Sequence, residues 1–167
     1  MYKLNLSPHI TRISDSAFIP KDLANSDYQE YLAWIELGNT PIPAEVPLRE
    51  TVVAKIWEAI KEKRDLVSGH SVQVSGNWYH SDTKSRLQQM GLVMMGAGLP
   101  TGLQWKKMDG TFITMTPTLA GQIFQATAYR DQQCFAVAES HKNSMSQAVD
   151  PALYDYSTGW PACYIQV

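Results

Sequence analysis

Between Leu48 and Arg64 apolar residues return every three or four positions. Val52, Val53, Ile56, Trp57 and Ile60 share one side of a helix, and Glu50, Glu58, Lys61 and Glu62 take the other. The period then changes to two. Ser71-Val72-Gln73-Val74 alternates, Ser75-Gly76-Asn77 supplies turn chemistry, and Trp78-Tyr79-His80 returns, which predicts a β-hairpin. Ser81 or Asp82 caps a following helix with Leu87, Met90 and Met94 on its expected inward face and Gly91 allowing a close approach. Gly96 to Gly102 reads as a loop. A second hairpin follows, Leu103 to Lys106 and Thr111 to Thr114 around Asp109-Gly110. Thr116-Pro117 opens a long helix, Thr as cap and Pro as first helical residue. Its inward stripe is Leu119, Ile123, Ala126, Cys134 and Val137, with Arg130 in the middle, so either a buried carboxylate pairs with that cation or the helix is locally interrupted there, and pairing is the favoured expectation.

The first forty residues read differently. Ile10 and Ile13 flank Thr11-Arg12, and Ser14-Asp15-Ser16 turns before Phe18-Ile19, a short β unit ended by Pro20. Asn25 or Ser26 caps a helix carrying Tyr28, Tyr31, Leu32 and Ile35, with Trp34 beside Tyr31 and Gly38-Asn39 as its stop. Pro41, Pro43 and Pro47 punctuate a segment without periodicity, expected to be a semi-rigid linker. Beyond Asp150-Pro151, Tyr154, Tyr156, Trp160 and Tyr164 form an aromatic tail with little helical period, suited to a groove of its own domain or of a partner. The expected layout is a β-α docking segment over 1–40, a linker over 41–47, a main domain over 48–149 and an extended tail over 150–167. Hairpins alternating with helices give an α+β fold, a small antiparallel sheet of two hairpins packed with three helices.

Composition narrows the function classes. The 167 residues are 44% hydrophobic, enough for a core. A net charge of −2 gives no general attraction to phosphate, and Glu58 and Glu62 interrupt the cluster of Lys61, Lys63 and Arg64, so no nucleic-acid partner is expected. Met1 to Ile10 lacks the pattern of a signal peptide, and Leu87 to Leu99 is too short and glycine-broken to span a bilayer, so no membrane partner is expected. Cys134 and Cys163 are the only cysteines, which argues against a disulfide framework and suits synthesis in a reducing cytoplasm.

Candidate chemistry is sparse. His70 and His80 flank the first hairpin, but no Cys or carboxylate has the spacing to complete a zinc site, so no metal or cofactor is expected. Cys134 and His141 lie on one helix face about 10 Å apart, too far for a nucleophile and its base. Asp22, Asp27 and Glu30 sit near aromatics, as glycosidase carboxylates do, yet Asp27 is better explained as a charge at a helix N-terminus. The chain reads as non-enzymatic, with Tyr28, Tyr31, Trp34, Tyr154, Tyr156, Trp160 and Tyr164 as protein-interface candidates, since Tyr and Trp dominate binding hot spots.

Two segments resemble known families. Ser14 to Trp34, ending Gly38-Asn39-Thr40-Pro41, resembles a segment of many phage tail-fibre and tail-assembly proteins, which share Ile-Pro, an acidic residue, Asn-x-Asp-Tyr, Tyr-x-x-Trp and Gly-Asn. Ile56 to about Lys142 resembles a small phage domain of uncharacterised function, through Lys63-Arg64-Asp65, Trp78 to Asp82, Trp105 with Asp109-Gly110, Met115-Thr116 and His141-Lys142. The resemblance implies a structural component of a bacteriophage tail, synthesised in the host cytoplasm and carried in the virion. Its implied partners are tail, tail-fibre or baseplate proteins. An assembly chaperone absent from the virion and a glycan-binding or glycan-cleaving receptor protein are the alternatives. Self-association as a homo-oligomer stays open, since the stripe of Leu48 to Arg64 is too short to separate packing within the domain from trimerisation.

Overall fold

The computed structural model describes residues 1–165 and has four helices and small antiparallel sheets, an α+β fold. The chain divides at Leu48 into two compact units, each considered by itself.

In the first unit, strands β1 (Tyr2–Leu4), β2 (His9–Arg12) and β3 (Ala17–Pro20) form an antiparallel sheet in the order β1-β2-β3. The alternation of period two sends Ile10 and Ile19 inward and Phe18 outward. Helix α1 (Ser26–Glu36) begins where the Asn25 side chain accepts the Tyr28 N–H at 3.1 Å. It stops at Gly38, whose φ of +84° suits glycine, and the Asn39 amide donates to the Trp34 carbonyl at 2.8 Å. The proline-rich segment is not free-standing. Ile42 bridges to Lys3 in parallel, trading backbone hydrogen bonds of 2.9 Å with Tyr2 and Leu4, and Lys3 pairs with Glu45. Strand β1 was not expected from the sequence, because three residues offer too little alternation to read.

In the second unit, α2 (Arg49–Ser68) packs antiparallel on α4 (Pro117–Gln147). Arg49 fixes that arrangement at one end by donating to the Ser146, Ala148 and Val149 carbonyls that end α4. Between them in sequence lie β4 (Ser71–Val74), β5 (Asn77–His80), α3 (Thr83–Met95), β6 (Gln104–Lys106) and β7 (Phe112–Thr114). Each hairpin remains its own two-stranded sheet. Ser75 and Gly76 both have positive φ, the geometry of a two-residue turn that matches strand twist. The Met108 N–H, donating to the Trp78 carbonyl at 3.1 Å, joins one hairpin to the other. Thr116 caps α4 as expected, accepting from the Leu119 N–H. One core gathers Val72, Tyr79, Leu92, Met115, Ala120 and Ile123; another gathers Ile60, Ala138 and Met145 beneath Val53, Ile56 and Trp57.

Two expectations need correction. Helix α3 turns the other way round: Gln89 and Leu92 are buried, while Leu87, Met90 and Met94 are 64%, 40% and 79% exposed. Polar anchors decide the rotation. Arg86 forks onto Asp131 and also donates to the Ser68 and Ser81 carbonyls, and Gln89 donates to the His80 carbonyl at 2.8 Å. Gln89 and Leu92, three residues apart, define a face opposite the apolar stripe, with Arg86 between that face and the stripe, and Gly91 faces open space. Among the described residues Arg130 meets no carboxylate either. It is 6% exposed and donates to the Val67 carbonyl at 3.0 Å, the Ala162 carbonyl at 2.8 Å and Cys163 Sγ at 3.0 Å, without interrupting α4.

Candidate protein-interaction site

In the first unit the three candidate aromatics of α1 come together: Tyr31 is buried in the core, and Tyr28 and Trp34 are half-buried against it. Tyr2 of β1 sits edge-on to Tyr31 and to Trp34, each with ring centroids 5.1 Å apart, and Tyr28 stacks on Tyr31 at 5.9 Å. They close over Ile10 and Ile19. Burial pushes the Tyr31 phenol up, with a smaller contribution from Tyr28. The unit is pinned from outside by Arg12 of β2, which reaches Asp15 at 2.8 Å, Asp27 at 2.8 Å and Glu30 at 3.2 Å. Hydrogen bonding to Asp15 first, then Asp27, holds the guanidinium charged, and the Asp15 carboxyl is lowered mainly by Arg12. Asp27 and Glu30 therefore serve an ion cluster that joins α1 to the sheet.

What this leaves for a partner is β3. It pairs with β2 along one edge only. In the register His9↔Pro20, Ile10↔Ile19, Thr11↔Phe18, the Lys21 N–H donates to the Pro8 carbonyl, so the backbone groups of Phe18 point away from β2. The Phe18 side chain is 73% exposed. Phe18 lies inside the segment that resembles tail-fibre proteins and is not among the interface candidates read from the sequence. The alternation Phe18 out, Ile19 in was the available signal.

In the second unit the tail lies on its own domain. Tyr154, Tyr156 and Trp160 pack over the core of Ile60, Ala138 and Met145. His141 clamps them: one ring nitrogen lies 2.9 Å from the Tyr154 hydroxyl, the other 3.0 Å from the Thr158 carbonyl, and the ring stacks on Trp160 at 5.5 Å. Trp160 Nε1 donates to the Tyr156 carbonyl at 2.8 Å. Further on, the Tyr164 N–H donates to Ser71 Oγ at 2.9 Å and its ring lies 6.3 Å from that of Trp78. The last two residues of the expected tail lie outside the described residues.

The groups considered for chemistry are engaged elsewhere or far apart. Both nitrogens of His141 face the tail, and burial raises the thiol of Cys134. His80 pairs in register with Ser71, and His70 approaches Ser71 Oγ at 3.1 Å. Among the described residues no cluster of three or more His, Cys, Asp or Glu is placed to hold a metal. A groove of about 250 Å³ runs past Trp78, Tyr129, Gln73 and Gln133, with Arg130 in its wall.

The fold and these surfaces define a small α+β domain of paired helices and hairpins, preceded by a three-stranded unit closed by one helix. Residues 51–158 match the family described as Domain of unknown function (DUF4376), and the chain belongs to that family. The match starts in the first turn of α2 and ends in the tail, so the first unit lies outside it. No curated protein and no solved structure matches the chain.

Proposed function

We propose that this chain is a non-enzymatic bacteriophage tail protein, a structural component of the tail or tail-fibre region that acts by binding tail, fibre or baseplate proteins. The observation that carries the reading is β3. Among the described residues, the segment resembling tail-fibre proteins presents a strand edge that pairs with no other strand and an exposed Phe18, while its aromatics Tyr28, Tyr31 and Trp34 pack on the core of the unit. A free edge lets a partner strand pair through backbone groups, and an exposed aromatic supplies an anchor.

Mass spectrometry of purified virions tests the location, with the protein expected in stoichiometric amount relative to tail proteins. Presence in infected cells with absence from virions would replace this reading with an assembly chaperone. Phe18→Lys tests the edge: it is expected to abolish co-purification with the tail while the melting temperature stays unchanged, because Phe18 contributes little to the core. The groove beside Trp78 and Tyr129 favours a second reading, glycan binding, because aromatic faces and glutamine amides suit sugar rings and hydroxyls. A glycan array with the wild-type chain and Trp78→Ala tests it; no binding by the wild type ends it.

A further inference from the structure

Helix α3 carries an apolar stripe that its own domain does not cover. Leu87, Met90, Gly91 and Met94 fall at i, i+3, i+4 and i+7, opposite the buried face of Gln89 and Leu92. Met95 flanks the stripe and is also exposed. At these exposures the surface amounts to about 500 Å² of apolar area, the size at which the largest patch of a monomer is often functional.

The stripe is self-complementary. Its centre lies between Met90 and Gly91, so reversing the helix exchanges Leu87 with Met94 and Met90 with Gly91. We propose that α3 is the contact between two copies of this chain, packed antiparallel about a two-fold axis between Met90 and Gly91. Met90 of each copy then fills the space left by Gly91 of the other, where an added Cβ would meet nothing within 4 Å in its own chain. Leu87 of each copy packs on Met94 of its partner copy.

Charge fits the same arrangement. The last turn of α3 holds no basic residue, so its C-terminal carbonyls at Gly96 lack a neutralising partner from their own helix. The reversal that exchanges Leu87 with Met94 brings the exposed Lys84 of the other copy to Ala97, beside that terminus. The two lysines end up about 20 Å apart, beyond the range at which they repel in physiological salt. Helix α3 contains no acidic residue, and its only other cation, Arg86, is occupied by Asp131. Two such patches bury about 1,000 Å² together, the lower limit for a specific interface, so the dimer belongs to the weak, concentration-dependent class.

Sedimentation of the full chain over a concentration series tests the proposal. The wild type is expected to pass from monomer to dimer. Met94→Glu and Gly91→Leu are each expected to weaken association at least tenfold with the circular dichroism spectrum unchanged, since neither position packs within the chain. Gly91→Leu is the sharper variant, because it adds apolar surface and helix propensity yet blocks the close approach. The double variant Leu87→Cys with Met94→Cys is expected to form a covalent dimer under a mild oxidant, and neither single variant is. A wild type that stays monomeric at every concentration overturns the proposal and leaves the stripe to a different protein. A dimer that survives both Met94→Glu and Gly91→Leu, or one cross-linked by Leu87→Cys alone, overturns it equally.

Discussion

Replacing Arg130 separates what the tail contributes to stability from what the helices do alone. Its guanidinium donates to three acceptors drawn from two distant places, the Val67 carbonyl at the end of α2 and the Ala162 carbonyl and Cys163 sulfur of the tail. A hydrogen bond from a charged donor is worth about 1.5–3 kcal/mol net, but burying the cation offsets part of that gain. Arg130→Ala removes the donors, leaves two carbonyls facing each other across a void, and opens space beside Cys134. Together these predict a loss of about 3–5 kcal/mol, read as a fall in melting temperature of about 10 °C or more. Arg130→Met keeps most of the volume and sheds the buried charge, so about 1–3 kcal/mol is expected. Urea unfolding supplies the free energies. Chymotrypsin supplies the location: Tyr154 and Tyr156 are protected in the folded tail and are expected to be cut faster in Arg130→Ala, before global unfolding. The reasoning fails if Arg130→Ala lies within about 1 kcal/mol of wild type, or if it destabilises the chain while the tail stays as resistant as before.

Two further predictions rest on single groups. The Tyr79 hydroxyl is buried with no hydrogen-bond partner among the described residues, and burial first, then Asp109, raises its phenol, so Tyr79→Phe is expected to be neutral or to stabilise by about 1 kcal/mol; a loss of melting temperature would show that the hydroxyl is bonded. Hydrogen bonds from Thr111, with help from Lys107, lower the Asp109 carboxyl to about 2, and Asp15, Asp82 and Asp155 are lowered too. A carboxyl depressed in the folded state stabilises the fold above its unfolded value near 4, and that contribution disappears as pH falls through about 2. The melting temperature is therefore expected to drop between those values, with a shallower drop in Asp109→Asn. A flat acid limb would refute it.

Much of the architecture follows from local chemistry. The change of period from helix to strand, the Asn25 and Thr116 caps, and the turns at Ser75-Gly76 and Asp109-Gly110 each act over a few residues, so one-dimensional pattern suffices to place α1, α2, α4 and both hairpins. The aromatic cluster of Tyr28, Tyr31 and Trp34 was likewise readable as a helix face. Its use was not. Whether a face meets core, partner or solvent depends on what else arrives there, and β1, which supplies Tyr2, is too short to announce itself. The same holds for α3. Leu87, Met90 and Met94 mark a stripe by their spacing, but Arg86 and Gln89 win the inward position because Asp131 and the His80 carbonyl are waiting for them from other elements. Arg130 is the plainest case: the cation is visible in the stripe of α4, while its acceptors lie 63, 32 and 33 residues away and two are backbone carbonyls, which carry no sequence signature. Periodicity by itself determined that these faces exist; only the tertiary structure decided which of them the protein keeps for itself and which, at β3 and α3, it leaves open.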